Sequence, residues 1–172
     1  MTEWNLNAAS GRDHLVGSFL PSTENRSGLT ILYTRIIIKG VFWPLSAKDE
    51  LEDIAPDYEV LLSQVQFDWR AVDELIFQLD EWLEHPKEIS IDLCAKGRGG
   101  QSFILSFGQS DKLISTIQKP VCSIIYSGTV FSQGEWRFVV DQSCIRNFRD
   151  ELRLSLNETS PVAADGSRFG EA

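Results

Sequence analysis

The sequence predicts an α+β fold, an antiparallel β-sheet built from hairpins with two amphipathic helices packed on one face. Three observations carry that prediction. Two segments repeat apolar residues at helical spacing, and each opens at an aspartate that closes a β-like run: Asp68 after Val65-Gln66-Phe67, and Asp141 after Phe138-Val139-Val140. Two pairs of alternating segments are each separated by a short glycine-bearing stretch, the signature of hairpins. The chain of 172 residues, 42% hydrophobic and 24% charged, has the size and composition of one globular domain with a real core.

Residues 1–28 are weakly patterned. His14 to Leu20 (HLVGSFL) reads as a strand and Pro21 to Gly28 (PSTENRSG) as a turn-rich loop. Leu29 to Val41 is dense in β-branched residues and predicts one long strand, or two with a bend, stopped by Pro44. An acidic connector, Ser46 to Glu59, follows, with a short helix expected around Asp49 to Ile54, and then a strand from Val60 to Phe67. The first helix carries Val72, Leu75, Ile76, Leu79, Trp82 and Leu83, the i, i+3, i+4, i+7 stripe of a core-facing helix. Asp68 is its N-cap, Asp73 and Glu74 lie near the positive end of its dipole, and Pro86 ends it.

Glu88 to Cys94 and Ser102 to Phe107 alternate as a hairpin around Lys96-Gly97-Arg98-Gly99-Gly100. Cys122 to Val130 and Glu135 to Val140 form a second one around Ser132-Gln133-Gly134. The closing helix, from Gln142 to about Leu156, buries Ile145, Phe148, Leu152 and Leu156. The expected organisation is a single domain over residues 1–157 and a disordered small, polar tail over 158–172. Subtracting 68 from 141 gives an offset of 73, which sets Val72 on Ile145, Leu75 on Phe148, Leu79 on Leu152 and Leu83 on Leu156. The offset raises an internal duplication of strand, helix and hairpin, although every matched position is a generic apolar one.

The net charge of −9 argues against nucleic acid and against an anionic membrane surface, both of which favour a basic stripe. No apolar run approaches the roughly 18 residues that span a bilayer, and the first residues, Met1-Thr2-Glu3-Trp4-Asn5, lack the pattern of a signal peptide, so the expected location is cytoplasmic. Cys94, Cys122 and Cys144 are odd in number and far apart, which suits packed thiols in a reducing compartment.

Candidate chemistry is sparse. His85 lies at the end of the first helix, four residues after Glu81, where capping or ion pairing is the simpler role; His14 is the only other histidine. Cys144 falls in the first turn of a helix, where the dipole can lower a thiol pKa, but no nucleophile elbow or cysteine-protease context surrounds it. Asp80, Glu81 and Glu84 crowd one end of the first helix, read as a solvated face rather than a metal site. The glycine run 96–100 joins two strands, so it reads as a turn and not a phosphate cradle. No catalytic residue, metal site or cofactor is expected.

The strongest departure from average composition is the stretch Asp49 to Glu59, with six carboxylates and no cation, preceded by Phe42-Trp43. Aromatic anchors beside carboxylates suit an interface with a basic protein, so the candidate partner-binding residues are Trp43, Asp49, Glu50, Glu52, Asp53, Asp57, Tyr58 and Glu59. Arg146, Arg149 and Arg153 form a basic stripe on the second helix, aligned with Asp73, Ile76 and Asp80 of the first, which predicts charge pairing between helices packed side by side. Trp82 and Trp136 read as core, leaving Trp4, Trp43 and Trp69 as exposed or interface candidates.

The stretches Asp57-Tyr58 to Leu83, Ile89 to Leu93 and Trp136 to Leu156 together resemble the WapI-type immunity proteins of bacterial contact-dependent toxin systems. In that family a strand leads into a helix of the form L..l...L, an alternating strand pair follows, and the chain closes on f.v....L..f...L. Here the closing element is Phe138-Val139-Val140-Asp141 through Ile145, Phe148 and Leu152, and the likeness covers about 100 residues. The chain departs from the family in its short loop before the first helix and in its strands before Glu59. The resemblance implies an acidic, non-enzymatic protein that neutralises a basic toxin by covering its active surface, with no catalytic residues to carry over. The alternatives are a small-ligand-binding domain with a pocket between helices and sheet, or a small enzyme centred on Cys144 or His85.

Overall fold

The computed structural model describes residues 2–20, 31–40, 57–85, 91–96, 102–109, 120–127 and 133–159. Within them the chain forms β1 (Glu3–Asn7), β2 (Asp13–Phe19), β3 (Ile31–Gly40), β4 (Tyr58–Asp68), α1 (Trp69–Glu84), β5 (Ile91–Lys96), β6 (Ser102–Gln109), β7 (Pro120–Ser127), β8 (Gln133–Val139) and α2 (Gln142–Thr159). The eight strands pair in chain order, each antiparallel to the next. The α+β antiparallel fold read from the sequence is therefore the observed one, and α2 runs on to Thr159.

The strands alternate as the period of two requires. Leu32, Thr34, Ile36 and Ile38 of β3 turn inward while Arg35 is exposed. On β4 the pairing passes from Thr34↔Val65 to Ile36↔Leu62, so β4 holds one extra residue at 63–64. That bulge moves its buried side chains from Val65 and Phe67 to Leu62 without turning the strand over. Both helices bury their predicted stripes, and residues from all eight strands and both helices join one core. Each helix opens on its aspartate: Asp68 accepts from the Arg70 amide at 2.9 Å, and Asp141 from the Cys144 amide at 2.8 Å and the Ser143 hydroxyl at 2.6 Å.

Two of the sequence expectations are overturned here. Trp4 and Trp69 are core residues, 1% and 4% exposed, not surface candidates. Trp4 belongs to β1, a strand the sequence reading left unassigned. Its indole lies on Gly17 of β2, where any Cβ would collide with the ring, and it packs edge-on to Phe148 and against Phe19. Trp69 is the first residue of α1, one turn ahead of Val72 on the buried stripe.

The fold repeats one arrangement: each half is a four-stranded meander followed by a helix, β1–β4–α1 and β5–β8–α2. The halves meet at two seams. Gln66 on β4 pairs with Lys96 on β5, and Val139, 73 residues after Gln66, accepts through its carbonyl from the Ala9 amide at 2.8 Å, joining the last strand to the turn after the first. The helices meet at equivalent positions as well, because Asp80 pairs with Arg153, its own counterpart, and also with Arg149 at 2.8 Å. A residue touching its own counterpart marks a pseudo-twofold axis between the helices. Of the charge pairing expected across them, the Asp80 pairs with Arg149 and Arg153 are present.

Connections agree from half to half with one exception. Residues 8–12 match 97–101 in length, and 20–30 match 110–119 to within one residue. The link from β3 to β4 spans 41–57, whereas that from β7 to β8 spans only 128–132. Elsewhere α2 protects the outer edge of β1. Glu151 accepts from the Asn5 amide at 2.7 Å, Ser155 donates to the Thr2 carbonyl at 3.3 Å, and Glu158 accepts from the Thr2 hydroxyl.

Candidate functional site

The long connection leaves the sheet at the paired ends of β3 and β4. Gly40 stands opposite Tyr58, and the Asp57 amide donates to the Gly40 carbonyl at 2.8 Å. Tyr58 is half-buried against the core, and its hydroxyl donates to Asp13 at 2.5 Å, over a Gly40 that has no space for a Cβ. Burial first, and the Asp13 carboxylate second, push the Tyr58 phenol well above its ordinary pKa, so it remains a hydrogen-bond donor. Of the interface candidates, Tyr58 thus ties the base of the hairpin to β2, while Asp57 and Glu59 are exposed beside it. Trp43, Asp49, Glu50, Glu52 and Asp53, with the helix expected around 49–54, lie outside the described residues.

The groups considered for catalysis have structural surroundings. Burial pushes the Cys122 thiol far above its ordinary pKa. Burial also raises the Cys144 thiol, outweighing the hydrogen bond at the Asp141 backbone that would lower it. Cys94 is exposed on β5. The His14 ring lies between Asn7 Oδ1, at 2.6 Å, and the Gly11 carbonyl, at 3.2 Å, across the first turn, and burial lowers its pKa. His85 is exposed and ends α1 through its backbone, its amide donating to the Glu81 carbonyl at 2.9 Å.

Asp80, named in the carboxylate crowd on α1, is taken by Arg149 and Arg153. Among the described residues no group of three or more histidine, cysteine or carboxylate side chains is placed to hold a metal ion. Between helices and sheet, the indole N–H groups of Trp4 and Trp69 are buried without a hydrogen-bond partner among the described residues. No described helix is long and apolar enough to cross a membrane.

The sequence reading passed over Phe77. It is 55% exposed on a helix whose other aromatic residues, Trp69 and Trp82, are buried. The signal lay in the spacing: Phe77 falls off the 72, 75, 76, 79 stripe and has a carboxylate at each of i−4, i−3, i+3 and i+4, namely Asp73, Glu74, Asp80 and Glu81. Compared with family models, curated proteins and solved structures, the chain matches none.

Proposed function

We propose that this chain is a non-enzymatic protein-binding domain of the bacterial cytoplasm, and that its partner is a basic protein such as a toxin it neutralises. The observation that supports this most is the unequal connection. Two halves whose other strand-to-strand turns agree to within one residue differ by a dozen residues between β3 and β4, and the added stretch holds Asp49, Glu50, Glu52 and Asp53 with Trp43 ahead of them. An addition that the sister half folds without is the place to look for function. Its carboxylates would steer a cationic partner and speed association, while the aromatic residue would supply buried area. The resemblance to WapI-type immunity proteins points the same way.

The test is a charge reversal, Asp49→Lys, Glu50→Lys, Glu52→Lys and Asp53→Lys together. The immobilised variant is expected to lose a basic host protein that the native chain retains, with its melting temperature almost unchanged. Equal retention by both chains would end this reading.

A further inference from the structure

We propose that the outer face of α1, centred on Phe77, is a docking surface for a cationic protein segment that presents apolar side chains flanked by lysine or arginine. This rests on the reading that the partner is a basic protein, and it adds the helix to the connector as a second contact.

The two helices act as controls for one another. At the positions that face the core they agree: Val72 with Ile145, Leu75 with Phe148, Leu79 with Leu152, Leu83 with Leu156. At the exposed positions they do not. Asp73, Glu74, Phe77, Glu81 and Glu84 of α1 correspond to Arg146, Asn147, Asp150, Leu154 and Asn157 of α2. Because α2 performs the same packing with a different surface, the scaffold does not require the α1 surface. An exposed phenylalanine gains nothing from burial in this chain, and its carboxylate setting is not explained by the core.

The chemistry of the surface selects its occupant. Arg149 and Arg153 neutralise Asp80, so the local charge is carried by Asp73, Glu74 and Glu81, with Glu84 one turn on. Glu74 also accepts from Gln78 at 2.9 Å, and Arg70 lies two turns before Phe77. An aromatic face attracts a lysine or arginine, and the surrounding carboxylates do the same at longer range. The complement is a set of apolar side chains flanked by cations.

A fluorescein-labelled helical peptide of leucine and lysine is the probe, titrated into the full chain and followed by anisotropy and by amide shifts. Phe77→Ala is expected to weaken binding roughly tenfold, as is Glu74→Lys with Glu81→Lys. Asp150→Ala, at the matching site on α2, should change it by less than about twofold. Perturbed amides should concentrate on residues 73–81. Phe77→Ala should melt with the native chain, since the side chain is mostly exposed. Native binding by Phe77→Ala, shifts lying off α1, or no binding of the peptide to the native chain would each overturn this surface. If the connector reversal still releases a host protein in any of those cases, the protein-binding reading stands and only the placement on α1 fails.

Discussion

The first and second halves of the molecule solve one folding problem twice. Each forms a four-stranded meander followed by an aspartate-capped helix, and the two share one core, with Asp80 of α1 paired to Arg149 and Arg153 of α2 and the strand ends joined at Gln66–Lys96 and Ala9–Val139. They differ where folding makes no demand: in the length of the β3–β4 connection and in the charge of the exposed helix face. A repeated scaffold therefore separates structural residues from residues free to take a role. Those free residues are mainly acidic in the first half and mixed in the second.

The largest effects should come from the shared core. Leu79→Ala and Leu152→Ala, both at positions almost wholly excluded from water, should each cost about 2–5 kcal/mol. Denaturant titration should show one cooperative transition for both variants. Two separated transitions would break the claim that the halves share one core.

Next is the axis pair. Asp80→Ala should cost about 1 kcal/mol, because it removes the carboxylate that Arg153 and Arg149 share at a partly exposed site and leaves Arg149 with Asp150 alone. Exchanging the charges, Asp80→Arg with Arg153→Asp, should recover part of that loss, as a double-mutant cycle would read. No recovery would mean that the pair is not the coupling between helices. The two caps sharpen the comparison at similar scale: Asp68→Ala and Asp141→Ala should each cost about 1 kcal/mol. The Asp141 cap should be pH-sensitive, since bonds from the Ser143 hydroxyl and the Cys144 amide hold its carboxyl below the usual range. Its contribution is present above the unfolded carboxylate pKa and is lost as acid protonates it.

The smallest effect belongs to His14, at the start of β2 beside the first turn. Its folded pKa is depressed by burial below 6.5, so the unfolded chain takes up the proton first, and stability should fall as pH drops through that range. His14→Gln should flatten this part of a melting-temperature profile between neutral and mildly acidic pH. An unchanged slope would place the titration elsewhere.

Much of the scaffold was legible because it obeys strong periodicities. The stripes of α1 and α2, their caps, and the alternation of β5 to β8 are local patterns. The Asp80–Arg153 pair followed from aligning the two caps. β1 escaped because Glu3–Asn7 is too short for its alternation to stand out, although Trp4, Leu6 and Ala8 do alternate. Trp69 escaped because it was read as an exposed or interface candidate rather than as the first residue of the α1 stripe. The repeated arrangement could not be secured from generic apolar matches. It is visible in the turn lengths and in the helix pairing, which depend on contacts between residues far apart in the chain. The candidate site was the least legible part, because an exposed phenylalanine among carboxylates obeys no folding rule.

The central claim is that the long connection serves binding and not the fold. It is tested most directly by replacing residues 41–57 with Gly128-Thr129-Val130-Phe131-Ser132, the short connection of the sister half. Shortening the loop lowers its closure entropy by about 1 kcal/mol, enough to offset the lost Asp57–Gly40 bond. The grafted chain should therefore unfold in one transition, within about 1 kcal/mol of the native chain, while losing its basic partner. A graft that fails to fold, or that folds and still retains the partner, would contradict the account.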